Sequence, residues 1–253
     1  KRAKREALHT LRSLIQLHID ARSSSDANEE EGEDLLGRLL ALRDEETGAA
    51  LTPQEVFDQC MVTFQAGHDT TTSALLWWSW LMATHPQAAQ RATDEVDAAL
   101  EGATPSAQDL RLYPPAPVLM SRRTTAPITL GKWRIPKGAM LRITPWTLHR
   151  DEQLFPQATL FKPERFLEGA EAIPKGAWMP FGVGPRVCIG QQFAQTEMAL
   201  LGAMLLQRYR LQVPPGSAPP KPLLNVTLKS AQPIHLTLER RTSAPTTDQG
   251  MPS

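Results

Sequence analysis

The chain has 253 residues, 27 basic and 27 acidic, for a formal net charge of zero, and 41% of it is hydrophobic. This is enough apolar material for one sizeable core or two small ones, and the charge balance removes nucleic acid as a main partner, since phosphate binding draws on surplus Lys and Arg. Two cysteines, Cys60 and Cys188, exclude a disulfide framework and any multi-cysteine zinc or iron–sulfur site and favour a reducing compartment, while no run reaches the roughly 18 apolar residues of a membrane span.

The chain opens on Lys1-Arg2-Ala3-Lys4-Arg5 without a Met, and reads as though it begins inside a helix, which implies residues upstream. Over residues 4 to 21, Leu8, Leu11, Ile15, Leu17 and Ile19 fall near helical spacing and predict an amphipathic helix. A polar stretch from Ser23 to Asp34, with six acids from Asp26 onward, reads as a solvated loop. A second helix is expected from Leu35 to Arg43. Thr52-Pro53-Gln54-Glu55 then supplies an N-cap Thr, a Pro at the first helical position and a Glu that can reach back to the cap. Nothing interrupts that pattern before Pro86, so the spacing predicts one helix from Pro53 to Thr84, about 48 Å long at 1.5 Å per residue. The apolar run Ala74 to Ala83 and its Trp77-Trp78-Trp80 cluster belong to the buried face of that helix, and Cys60 reads as a small buried hydrophobe. A further helix is expected from Gln87 to Leu100.

From Pro114 the texture changes, and most of the chain's 22 prolines crowd into this half. Short strands around turns are expected over 130–138, a strand from Met140 to Thr144, and an irregular segment punctuated by prolines 145, 156, 163, 174, 180 and 185. One more helix, Gln191 to Gln207, follows Gly190. Tyr209 to Val213, Leu223 to Leu228 and Ile234 to Leu238 read as strands, and 242–253 as a disordered tail.

The most informative stretch is Phe181-Gly182-Val183-Gly184-Pro185-Arg186-Val187-Cys188-Ile189-Gly190. Glycines let the backbone turn tightly and approach a bulky planar ligand, while backbone N–H groups and a following helix N-terminus stabilise a thiolate. Arg186 supplies a cation for an anionic group on the same ligand. Together these features suit an axial ligand to haem iron. An isolated Cys is more often a buried structural residue, and a nucleophilic-cysteine hydrolase is a second rival, although no His stands at an obvious partnering position.

The pattern Phe-x-x-Gly-x-Arg-x-Cys-x-Gly resembles the haem-binding signature of the cytochrome P-450 superfamily. Ala66-Gly67-His68-Asp69-Thr70-Thr71 is similar to the family's oxygen-activation segment on a long central helix. Phe161-Lys162-Pro163-Glu164-Arg165-Phe166, preceded by His149-Arg150-Asp151, is similar to its Pro-Glu-Arg-Phe element. The resemblance runs from Lys1 to Arg241 but only to the later part of the family's domain. It implies a mainly α fold with small β-sheets, incomplete at the N-terminus, with 1–241 as the C-terminal portion of one haem domain.

The resemblance also implies roles. Cys188 would be the ligand to the iron of haem b (iron protoporphyrin IX), with Phe181, Gly184, Arg186 and Gly190 forming its loop and Arg122, or else Arg123, on a propionate. Ala66 and Gly67 would leave a groove for dioxygen, the more so if the Thr70 hydroxyl bonds the Ala66 carbonyl and loosens the helix. Asp69 would pass protons inward as a general acid/base, and Thr70 would hold the partly reduced oxygen. Ala116, Pro117, Val118 and Thr71 would line an apolar substrate pocket. His68 is not assigned as a ligand, because Cys188 already fills that role.

The pattern breaks at one place. The family carries Glu-x-x-Arg, whose Glu joins that Arg and the Arg of Pro-Glu-Arg-Phe in a buried network; here Arg111 and Arg165 are the arginines, and Gln108 stands in place of Glu. Gln carries no charge, so two buried arginines without their carboxylate would cost several kcal/mol. Pro105 and Pro114 bracket only a short helix, which points to a deletion between Leu110 and Arg111.

The expected function is a haem-thiolate monooxygenase that inserts one oxygen atom from O2 into a small apolar organic substrate. Electrons would come from NAD(P)H through a separate reductase or ferredoxin, in the cytoplasm, with no nucleic acid partner and no membrane span. The alternative is a non-catalytic or degenerate fragment of such an enzyme with impaired haem binding.

Overall fold

Thr52 and Glu55 cap each other: the Glu55 carboxylate accepts from the Thr52 N–H at 2.8 Å and its hydroxyl at 2.7 Å, while the Thr52 hydroxyl accepts from the Glu55 N–H at 3.3 Å. The helix these residues start, α3, runs from Pro53 to Thr84, with the bounds its sequence predicts. The computed structural model describes residues 2–24, 34–99, 110–119, 121–167 and 169–241. The expected tail at 242–253, most of the acidic loop and Gln108 lie outside the described residues.

The chain divides into two units, residues 1–68 and 69–253. The first holds α1 (Arg2–Ser24), α2 (Leu35–Ala41) and the start of α3. Its core gathers Ile19, Val56, Phe57 and Met61, with Leu11, Ile15, Leu36 and Cys60 packed against them. Helix α2 begins where the Asp34 carboxylate accepts from the Gly37 N–H at 2.7 Å, and it ends two residues sooner than expected. Burial pushes the Cys60 thiol up from its ordinary value, as befits a packed hydrophobe rather than a reactive group.

The second unit contains the rest of α3, α4 (Pro86–Ala99), α5 (Pro145–Leu148) and α6 (Gln191–Arg208). Its strands pair antiparallel as four two-stranded sheets among the described residues. The strands are β1 (Arg122–Arg123) with β4 (Met140–Leu141), β2 (Ile128–Leu130) with β3 (Trp133–Ile135), β5 (Tyr209–Gln212) with β8 (Thr237–Arg240), and β6 (Pro222–Leu224) with β7 (Leu228–Ser230). The core is built on Trp77 and Trp78 with Ala74, Met82, Val96, Met198 and Leu206. Helix α6 meets α3 closely because Gly202 has no side chain: a Cβ there would meet the Trp78 ring at 3.3 Å.

Three expectations are corrected, the first being the strand expected from Ile234 to Leu238, which runs instead from Thr237 to Arg240. The strand expected from Leu223 to Leu228 is a hairpin, β6 and β7, turned at Asn225–Thr227 where the Asn225 N–H donates to the Thr227 carbonyl at 3.1 Å. The strand expected from Met140 to Thr144 stops at Leu141, because Pro145 opens α5 instead.

Candidate functional site

The loop from Phe181 to Gly190 is tied down along its backbone and leaves the Cys188 side chain exposed. Gly182 and Gly184 have φ of +76° and +74°, where a Cβ would be strained, so the reversal depends on both glycines. A single 3-10 turn spans Gly184–Arg186. The Val187 N–H donates to the Gly184 carbonyl at 3.0 Å, the Cys188 N–H to the Phe181 carbonyl at 2.9 Å, and the Gln191 N–H to the Cys188 carbonyl at 3.3 Å. The Cys188 thiol is exposed, and a Cβ on Gly190 would lie 3.9 Å from its sulfur. Helix α6 starts three residues on, which places the positive end of its dipole near that stretch of chain. Phe181 is half-buried, and Arg186 is exposed.

The surroundings of Cys188 are apolar and bare. Val183, Val187 and Ile189 are exposed, and Phe193 on the first turn of α6 is 71% exposed. Exposed apolar side chains of this size near the thiol in the chain are suited to contact with an apolar ligand. The donor chemistry is equally specific: among the described residues no group of three His, Cys, Asp or Glu side chains could hold a bare metal ion. A lone thiol beside an apolar surface suits a metal whose other bonds come from a flat macrocycle. The residues present therefore fit haem.

Asp69 sits on α3 with both carboxylate oxygens engaged. One accepts from the Thr227 hydroxyl at 2.6 Å, and the other pairs with Lys229 Nζ at 2.6 Å. Thr70 is half-buried, while Thr71 is buried and its hydroxyl has no hydrogen-bond partner among the described residues. Ala66 and Gly67 precede them on the same helix; a Cβ on Gly67 would meet nothing within 4 Å, so packing does not demand glycine there. The His68 ring lies parallel to Phe64 at 6.2 Å. Thr227 and Lys229 lie 158 and 160 positions from Asp69 in sequence, and no local pattern announces them.

Arg111 is fully buried and is received by backbone oxygen. Its guanidinium donates to the His149 carbonyl, to the Ala158 carbonyl at 2.6 Å and to the Leu160 carbonyl at 3.0 Å, and it lies over the Phe155 ring at 5.1 Å. These carbonyls offset part of the desolvation cost of burying a guanidinium. Arg165 donates to the Gln157 carbonyl at 2.9 Å, and its buried Nε has no partner among the described residues; Glu164 beside it pairs with Arg91.

His149 and Arg150 matter more than their sequence context suggests. The His149 Nε2 accepts the Met179 N–H at 3.2 Å, just ahead of the thiol loop. Burial holds the imidazole at about 4, below its ordinary 6.5, so the ring is neutral at physiological pH. Arg150 lies over the Trp146 ring at 3.3 Å and donates to the Leu112 carbonyl, and burial lowers it to about 10, still charged. The only signal for either was their place ahead of the Pro-Glu-Arg-Phe element.

Arg122 and Arg123 both lie exposed on β1, and alternation points them to opposite faces. Arg123 donates to the Gly138 carbonyl at 3.1 Å and Arg122 to the Ser121 carbonyl at 3.3 Å. Ala116 and Val118 are half-buried on the segment between Tyr113 and β1, which the Trp146 N–H fastens by donating to the Pro117 carbonyl at 3.2 Å.

A family model described as Cytochrome P450 matches residues 1–238. The chain belongs to the cytochrome P450 family. Among its P450 relatives is a protein of Streptomyces melanosporofaciens named cyclooctatin synthase, 37% identical, with 93% of this chain aligned to 54% of that protein. The pentalenene oxygenase of Streptomyces avermitilis is 33% identical over 83% of this chain and 49% of its own length. Among solved P450 structures, a cyanobacterial CYP120A1 with retinoic acid bound aligns with TM-score 0.84 and 28% identity, over 94% of this chain and 57% of that one. The heme domain of cytochrome P450DA aligns equally well, over 95% and 55%. The chain thus spans about half the length of the P450s it matches. Its mainly helical fold with small sheets is part of the P450 fold, and no helix among the described residues is long and apolar enough to cross a membrane.

Proposed function

We propose that this chain is the haem-bearing part of a P450 monooxygenase, residues 1–241 forming the C-terminal portion of its domain, and that it inserts one oxygen atom from O2 into a small apolar organic substrate. The observation that carries this reading is the exposed Cys188 thiol on a loop fixed by the Cys188–Phe181 and Gln191–Cys188 hydrogen bonds, set among exposed apolar side chains. Haem b, when bound, supplies reductive activation of dioxygen. Cys188 would be its protein ligand, with Gly184 and Gly190 letting the backbone close on the macrocycle, while Phe181 and the exposed Val187 and Ile189 exclude water from the sulfur and so tune its donor strength. Arg186 and Arg122 offer charge to the propionates.

The distal chemistry falls to α3. Asp69 is a carboxylate that can exchange protons with solvent and carry them inward, and Thr70 is a hydroxyl one residue on that would hold a proton for that chemistry. Ala66 and Gly67 present little bulk on the same helix. Ala116, Val118 and Thr71 are small or apolar groups suited to an apolar substrate; two relatives carry names built on cyclooctat-9-en-7-ol and pentalenene. Electrons would reach the site from NAD(P)H through a separate ferredoxin or reductase, and the setting would be cytoplasmic.

The second reading, a degenerate chain that binds haem poorly, draws support from Gln108 and from the partnerless Arg165 Nε. One experiment separates them. Haem-loaded protein supplied with a ferredoxin, its reductase and NADPH is offered pentalenene under labelled dioxygen. A product carrying one labelled oxygen atom is expected. Haem uptake too poor to measure favours the second reading.

A further inference from the structure

We infer that Thr227 and Lys229 are positioning residues for Asp69, so that the β6–β7 hairpin sets where this carboxylate points; the inference rests on the proton-donor reading of Asp69 given above. Asp69, Ser73 and Trp77 are spaced by four along α3 and so share one face of the helix. That face grips three consecutive residues of the hairpin. The Leu228 carbonyl accepts from Ser73 Oγ at 2.5 Å and from Trp77 Nε1 at 2.9 Å, and the Leu228 N–H donates to the Pro115 carbonyl at 3.0 Å. On either side of Leu228, Thr227 and Lys229 each take one oxygen of Asp69 at 2.6 Å.

The two contacts differ in character. Thr227 is only 4% exposed, so its hydroxyl acts where water does not compete, and a hydrogen bond to a charged acceptor is strong and directional there. Lys229 and Asp69 are each more than a third exposed, so the ion pair adds little to stability. Docking of the hairpin already rests on Leu228. What Thr227 and Lys229 add is the orientation of the carboxylate: each holds one oxygen, so Asp69 faces the hairpin, and its remaining lone pairs stay available for a proton. A single acid on α3 is thereby coupled to the last hairpin of the chain.

The test combines one measurement on the ligand-free chain with one on haem-loaded protein. Carbodiimide labelling of Asp69, read by mass spectrometry, should run at least threefold faster in Lys229→Met and Thr227→Val. It should return to the parent rate in Lys229→Arg and Thr227→Ser. Hydrogen exchange at the Leu228 amide should stay unchanged in these variants and quicken in Ser73→Ala, which separates aiming from docking. With ferredoxin, reductase and NADPH, the share of consumed dioxygen released as hydrogen peroxide should change at least twofold in Lys229→Met and Thr227→Val, and be restored by the conservative variants. Unchanged labelling would overturn the inference. So would a peroxide share that moves in Asp69→Asn but not in the hairpin variants, while leaving Asp69 as the proton donor. If Asp69→Asn itself leaves that share unmoved, the proton-donor reading fails and the inference falls with it.

Discussion

Arg111 and His149 act in series: the buried guanidinium donates to the His149 carbonyl, and the His149 ring takes the Met179 N–H at 3.2 Å. A fixed cation is thereby joined, through one residue, to the strand of chain that enters the thiol loop. The ring can accept that N–H only while neutral.

Acid should break this link. The folded value of His149 is about 4 against an ordinary 6.5, so the unfolded chain binds the proton first. Stability from this group is complete above 6.5 and is lost as pH falls from 6.5 through 4, by about 3 kcal/mol in total. Urea unfolding at pH 7.5 and pH 4 should show a larger loss in the parent than in His149→Asn, which keeps an acceptor but cannot titrate. Equal losses would contradict the assignment.

Removing the cation should cost more. Arg111→Met leaves the carbonyls of His149, Ala158 and Leu160 short of a buried donor. At about 1 to 3 kcal/mol for each unmet group, with partial relaxation, the expected loss is about 4 kcal/mol. Arg111→Lys should recover only part of it, because one ammonium cannot reproduce the planar fork. Chemical denaturation measures both.

Gly202 should resist even a methyl group. A Cβ there meets two Trp78 ring atoms at 3.3 Å, and Trp78 is itself locked in the core. Gly202→Ala gains about 1 kcal/mol of helix propensity but loses about 2 kcal/mol to overpacking, so the net effect is destabilisation by about 1 kcal/mol. A rise in melting temperature would show that Trp78 yields.

Local chemistry was legible and distant chemistry was not. The bounds of α3 followed from a capping box at Thr52 and a proline at 86, both written in adjacent residues. The hairpin at 225–227 was missed because Asn-Val-Thr carries no Gly or Pro and continues the alternation on either side. That turn is fixed partly from outside, by Ser73 and Trp77 holding the Leu228 carbonyl. The same holds for the candidate site. Cys188 and Asp69 stand out by their neighbours in sequence, whereas Thr227 and Lys229, which meet Asp69, and the His149 ring, which takes the Met179 N–H, come from remote positions. Among the groups that meet Arg111 are the backbone carbonyls of His149, Ala158 and Leu160, which no sequence motif records.

The account depends on Cys188 as the ligand to haem iron, and the most direct measurement is the carbon monoxide difference spectrum of reduced, haem-reconstituted protein. The parent should give the red-shifted Soret band of thiolate ligation, and Cys188→Ala should lose it. A parent that takes up haem without that band, or a Cys188→Ala variant that keeps it, would contradict the assignment.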